Sequence, residues 1–144
     1  MLRLIRRLSR CALGVSGIEF ALIMPMLAII VVALYNGWSL YRTYEGMREA
    51  ATAAQNYILR GGTSDAKALD IANTVWTSAK PSSPSAQVTR ACTCAGASSS
   101  CTTLCATTQQ PPQTFVTVRL TGTWTDTLHM ASKPVAVELT TRVR

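Results

Sequence analysis

Four thiols carry the densest chemistry in the chain, because Cys92, Cys94, Cys101 and Cys105 fall within one Ser/Thr/Ala-rich segment. Thiols grouped in this way close disulfides, bind a metal as thiolates, or exchange with other thiols. The Cys-x-Cys start is a poorer clamp than the Cys-x-x-Cys common in zinc sites, which favours two disulfides over a four-thiolate zinc centre. Exchange is disfavoured in turn, since Cys92-Thr93-Cys94 lacks the two-residue spacer and strand-helix setting of a thioredoxin-like motif. Spacing leaves the connectivity open, nested and crossed pairings between the two halves both being allowed. A fifth cysteine, Cys11, stands apart near the N-terminus.

Beyond the thiols, catalytic material is thin. His129 is the single histidine, it has no Ser or Cys nucleophile motif around it, and a lone histidine near a strand end is ordinarily structural or exposed. Gly61-Gly62 has neither the spacing nor the lysine of a phosphate-binding loop. The expectation is a protein that is not an enzyme, with no catalytic residue, no metal and no cofactor.

Glu19 is the other residue placed to do chemistry, and the element behind it explains why. Phe20 to Tyr41 carries no formal charge, and as a helix it spans about 33 Å, enough to cross the hydrocarbon core of a bilayer. A transmembrane helix is expected from near Gly17, with Tyr35, Trp38, Tyr41 and Tyr44 gathered at its C-terminal end where amphipathic rings suit the headgroup layer. Arg3, Arg6, Arg7 and Arg10 precede it, so the positive-inside rule holds the N-terminus in the cytoplasm and exports everything from Arg42 onward. A carboxylate one step before such a run costs a few kcal/mol on insertion scales unless it is hydrated or paired, which makes Glu19 a functional residue by default. The competing reading is a cleaved secretory signal with Val31-Val32-Ala33 as its small-residue site. Against it, apolar and aromatic character continues to Tyr41, which a removed signal would not need.

The same arginines account for the charge. Removing those four from the formal +7 leaves +3, scattered among seven acids, so the sequence reads as a basic leader and not as a nucleic-acid-binding face.

Leu13-Gly14-Val15-Ser16-Gly17-Ile18-Glu19-Phe20, followed by Ala21-Leu22-Ile23-Met24-Pro25-Met26-Leu27, resembles the N-terminus of TadE-like pseudopilins, the minor pilins of tight-adherence (Flp-type, type IV) pili. In that family a basic leader ends at a glycine after which a prepilin peptidase cuts, and a Glu-aromatic pair follows at the fifth mature position. The resemblance implies processing between Gly14 and Val15, with residues 1–14 as leader, 15–41 as transmembrane helix and 42–144 as an extracytoplasmic pilin-like domain. Gly17 matches less well, because a cut there leaves Glu19 only two residues on. The new amine at Val15 can neutralise Glu19, its own or a neighbouring subunit's, and so fix the axial register of packed helices; Glu19 and Phe20 are the expected registry residues. Pro25 lacks an N–H and loosens the bond toward Ala21, where a kink is expected. The resemblance further implies the bacterial inner membrane and a periplasmic C-terminal domain, and leaves open whether the protein sits at the tip of an extracellular pilus, within its fibre or in the membrane. Its implied partners are the prepilin peptidase, the major Flp-type pilin, a second minor pilin and the inner-membrane assembly platform. The rival class is an exported or membrane-anchored periplasmic binding protein with no part in a pilus.

The remaining pattern predicts an α+β fold. Leu40, Tyr44, Met47, Ala51, Ala54 and Ile58 repeat at alternating steps of four and three, extending the helix as a stalk over 42–60. Gly61-Gly62 stops it, and Ser64 caps a second helix to about Ala79 with Ala68, Ile71, Ala72, Val75 and Trp76 as its apolar face. Short alternating runs at 86–93, 114–124 and 135–143 predict three or four antiparallel strands against the long helix, with the cysteine loop stapled to them. A domain this small gains from such staples.

Overall fold

The computed structural model describes residues 13–77 and 79–143, with side chains from Gly17 onward. The leader arginines and Cys11 lie outside the described residues. The chain runs as helix α1 (Leu13–Leu59), helix α2 (Asp65–Val75) and strands β1 (Ser82–Cys94), β2 (Ala97–Ser99), β3 (Gln113–Thr125) and β4 (Ser132–Arg142). The four strands form one antiparallel sheet in the order β2-β1-β3-β4. This is the α+β arrangement expected: a long apolar N-terminal helix, a short second helix and a disulfide-linked antiparallel sheet. By internal contacts the chain divides after Trp38, and each part is described by itself.

In the first part, α1 presents large apolar side chains all around its circumference, Ile18, Leu22, Met26, Ile29, Ile30 and Leu34 among them, all exposed. A helix that is apolar on every side is suited to lipid rather than to one packed face. The helix has the length and hydropathy to cross a membrane, and its most apolar window is not buried against the rest of the protein. It continues through Pro25 without interruption.

The second part, from Ser39, holds the core. Met47, Ala51, Ala54 and Ile58 of α1 are fully buried, with Leu40 and Tyr44 packed partly against them, so the four-three stripe is the face that meets the sheet. Ala50 belongs to this face as well. Tyr44 is therefore partly packed against the core. From the sheet come Val116, Val118 and Leu120 of β3 and Val135 of β4, joined by Ala86, Val88, Val137 and Leu139. Register sets these in rows, Ala86–Leu120–Val137 and Val88–Val118–Leu139, since alternate side chains share a face. The other face carries polar pairs, including Thr117 with Thr140 at 2.8 Å and Arg119 with Glu138 at 4.0 Å.

Two glycines end α1 by a defined mechanism. Gly61 sits at φ +91°, its N–H donates to the Ile58 carbonyl and the Gly62 N–H to that of Tyr57, each at 3.0 Å. This is the Schellman pattern, which satisfies the last carbonyls of the helix. Ser64 then caps α2 by accepting from the Lys67 N–H at 3.3 Å, as its sequence position predicts.

Helix α2 is shorter than expected and ends at Val75. Trp76 leaves helical geometry (φ −73°, ψ 67°) and is driven fully into the core. Ala68, Ala72 and Trp76, each four residues apart, form the buried row, whereas Val75 stays 42% exposed and does not belong to the apolar face. Strand β1 begins earlier than expected because Pro84 is accommodated where its register against β3 shifts, between Ser82 and Ser85. There β1 has no second neighbour, since β2 pairs only with Cys92–Cys94, so the missing N–H of proline breaks no ladder bond on that side.

Candidate functional site

Two regions carry the residues singled out by type and spacing. The first is the head of α1. Gly14 and Val15 lie within its first helical turns, the helix being described from Leu13, while their side-chain surroundings lie outside the described residues. Glu19 and Phe20 follow on the same helix, both exposed, with Ile18, Leu22 and Ile23 around them. No acid other than Glu19 occurs between Leu13 and Arg42, so one carboxylate stands at the threshold of an uncharged run. In the sequence the nearest arginine on its N-terminal side is Arg10 and on its C-terminal side Arg42.

The second region is the cysteine loop. Its sulfurs pair as Cys92–Cys101 and Cys94–Cys105, with Cα separations of 5.2 and 5.6 Å, ordinary values for a disulfide. The pairing is crossed: the span of each bridge contains one partner of the other. A sulfur committed in this way has no thiolate to offer a metal, and among the described residues no other group of His, Cys, Asp and Glu gathers as a metal site would require.

Local structure brings the four cysteines together. Ala95 (φ 51°) and Gly96 (φ 87°) turn the chain back on itself, so that β2 returns along β1 with Cys92 opposite Ser99 and Cys94 opposite Ala97. Two consecutive positive φ values are the requirement of a tight hairpin turn. Cys92 is buried at the rim of the core and its sulfur lies 3.5 Å from the Thr114 hydroxyl of β3. Cys105 is buried too, and its backbone pairs with Gln109 and Gln110 to close the remainder of the loop.

A charged clasp anchors this end of the sheet to the helices. Arg90 Nε donates to Asp65 Oδ1 at 2.7 Å and its Nη2 donates to the Thr63 carbonyl at 3.1 Å. That hydrogen bond, helped by the charge of Asp65, raises the arginine's pKa against the opposing effect of burial. Asp65 lies in the first turn of α2, where a negative charge also meets the positive end of the helix dipole. Because Arg90 pairs with Val116 across the sheet, the start of β3 lies level with the α1–α2 turn. The other end of β3 lies level with the start of this part of α1, since Trp124 Nε1 donates to Ser39 Oγ at 3.3 Å. Strand β3 therefore runs back along the helix, from the cysteine loop at one end of the domain to Ser39 at the other.

His129 sits exposed in the β3–β4 turn at φ +56°, with its backbone N–H donating to the Asp126 carbonyl at 3.1 Å. No serine or cysteine is drawn to its ring among the described contacts. Trp76 was legible as apolar but not as a buried polar group: its indole N–H has no partner in the core, and Lys80 Nζ lies 5.8 Å from the ring centroid.

Comparison with protein-family models, with curated proteins and with solved structures found no match.

Proposed function

We propose that this chain is a minor pilin, or pseudopilin, of the TadE-like kind, acting in assembly, priming or capping of a Tad/Flp-type adhesive pilus. The observation that carries the reading is a lone carboxylate, Glu19, at the head of a helix apolar on all sides. An acid entering lipid unpaired costs a few kcal/mol, and a partner amine removes most of that cost. Cleavage after Gly14 supplies one at Val15, since a free α-amine with an ordinary pKa of about 7.7–8 is largely protonated at neutral pH. When the helices of neighbouring subunits lie side by side, a Glu19–amine contact forms at one axial offset only. The work of the protein is then packing and registry, with no bond made or broken by the chain itself. Pro25 eases the helix where it must pack or be withdrawn from the bilayer.

The partners under this reading are the prepilin peptidase, the major pilin, a second minor pilin and the assembly platform of the inner membrane. The outer domain, with its cysteine loop at the end away from Ser39, is the part presented outside the membrane.

N-terminal sequencing and intact mass of the membrane-fraction protein test it. The expected N-terminus is Val15, and it should disappear when Gly14 is replaced by a bulky residue. A terminus at Leu34 identifies an exported protein released by signal peptidase, and retention of Arg3 to Arg10 identifies a plain membrane anchor; either result overturns the pilin reading.

A further inference from the structure

The β3–β4 hairpin exposes two large apolar side chains within three residues. At its tip Leu128 is 57% and Met130 82% exposed, two large apolar side chains offered to the surroundings by one short turn. The turn is not loose. Asp126 Oδ1 accepts from the backbone N–H of Met130 at 2.7 Å and of Ala131 at 3.1 Å, and the Asp126 N–H donates to the Ala131 carbonyl at 3.0 Å. Its carboxylate is thus committed to holding the tip in shape, which leaves the apolar pair standing out from a fixed base.

The position of the tip gives it a partner. Trp124, just before the turn, is hydrogen-bonded to Ser39, and Ser39 lies inside the uncharged run that ends at Tyr41. The hairpin therefore emerges at the end of the domain where its chain enters the apolar segment. The same end carries Lys80 and Lys133, both exposed, and an open cleft of about 190 Å³ lined by the hydroxyl-bearing Ser39, Thr43, Ser82, Thr123 and Thr125 together with Lys80. Apolar tips flanked by cations, beside a hydroxyl-lined cleft, are what a phospholipid surface recognises: acyl chains below, phosphates above.

We propose that this end of the domain docks on the surface of an anionic phospholipid bilayer, Leu128 and Met130 entering the headgroup–acyl boundary while Lys80 and Lys133 meet lipid phosphates. Docking restrains the domain against the membrane that anchors it, in place of leaving it on a bare tether. The inference rests on α1 crossing that bilayer ahead of Ser39 and is independent of the pilus assignment.

Methionine oxidation reads both at once. The full chain, reconstituted into vesicles of phosphatidylethanolamine and phosphatidylglycerol, is treated with a water-soluble oxidant, and each methionine is followed by mass spectrometry. Buried Met47 reports an intact fold, Met24 and Met26 report insertion of the span, and Met130 reports docking. Expected are protection of all four, and a Met130 rate well below that of the same methionine in the protein's tryptic peptide. Replacing Lys80 and Lys133 by serine should restore Met130 oxidation, each lysine being worth about fivefold in docked population at an anionic surface. Met130 oxidised at the peptide rate while Met24 and Met26 stay protected overturns the docking and leaves the span standing. Oxidation of Met24 and Met26 removes the anchor on which the docking depends. Protection that appears only at high protein-to-lipid ratio assigns the tip to contact between copies and also overturns it.

Discussion

Ala50, Ala51 and Ala54 of α1 are packed in the core, and none of them retains exposed surface. Enlarging one of them overpacks that core. Ala54→Leu should lower the unfolding free energy by about 1–3 kcal/mol, measured by denaturant titration of the membrane-extracted protein. Trimming the facing strand acts in the opposite sense of volume but in the same direction of stability: Leu120→Ala should cost about 2–5 kcal/mol. At Gly61 the constraint is backbone, since its φ of +91° suits glycine alone. Gly61→Val should destabilise by about 1 kcal/mol or more and fray the end of α1, seen as faster amide exchange at Tyr57 and Ile58. Glu19 belongs to a different ledger, because its proposed role lies between subunits. Glu19→Ala should leave the thermal unfolding of the outer domain unchanged while abolishing pilus assembly and subunit association; loss of neither would sink the registry role.

Among the elements, the disulfide-linked hairpin is the one whose stability is set by covalent bonds. The bridges link cysteines 9 and 11 positions apart, and losing either one should cost the domain about 2–4 kcal/mol, so that reductant lowers the midpoint of thermal unfolding. Sequence made most of this architecture legible where a residue carries its own mechanism. Ser64 and Gly61 bracket the turn between the helices because one can cap and the other can take a positive φ, and the Met47–Ile58 stripe shows its face through its period. What stayed hidden depended on tertiary contact. Strand β2 follows a turn at Ala95-Gly96, and alanine, unlike asparagine or aspartate, gives no signal for the left-handed backbone it adopts there. The end of α2 was hidden because the next helix breaker, Pro81, restricts only its immediate neighbour, while burial of Trp76 stops the helix earlier. Disulfide pairing was equally invisible, since it follows from how β2 folds onto β1. At the head of α1, the identity of the candidate residues was plain from type and order, but no contact among the described residues shows what Glu19 pairs with.

Seen whole, the molecule separates two jobs along one chain. From Gly17 to Trp38 it exposes apolar surface in every direction, and from Ser39 onward it buries an apolar core under a polar exterior. Each part is adapted to its own solvent. A charge placed in the first part should therefore act on location and not on fold: Leu27→Arg should cost about 2.5–3.5 kcal/mol of insertion free energy, shifting protein from the carbonate-resistant membrane fraction while any that inserts keeps a normally folded outer domain. The crossed bridges give the exposed end of that domain a further property. A peptidase that severs the backbone once, anywhere between Cys92 and Cys105, always leaves a sulfur link between the pieces. A single nick in this loop releases no fragment, and the protein survives it in one covalent piece.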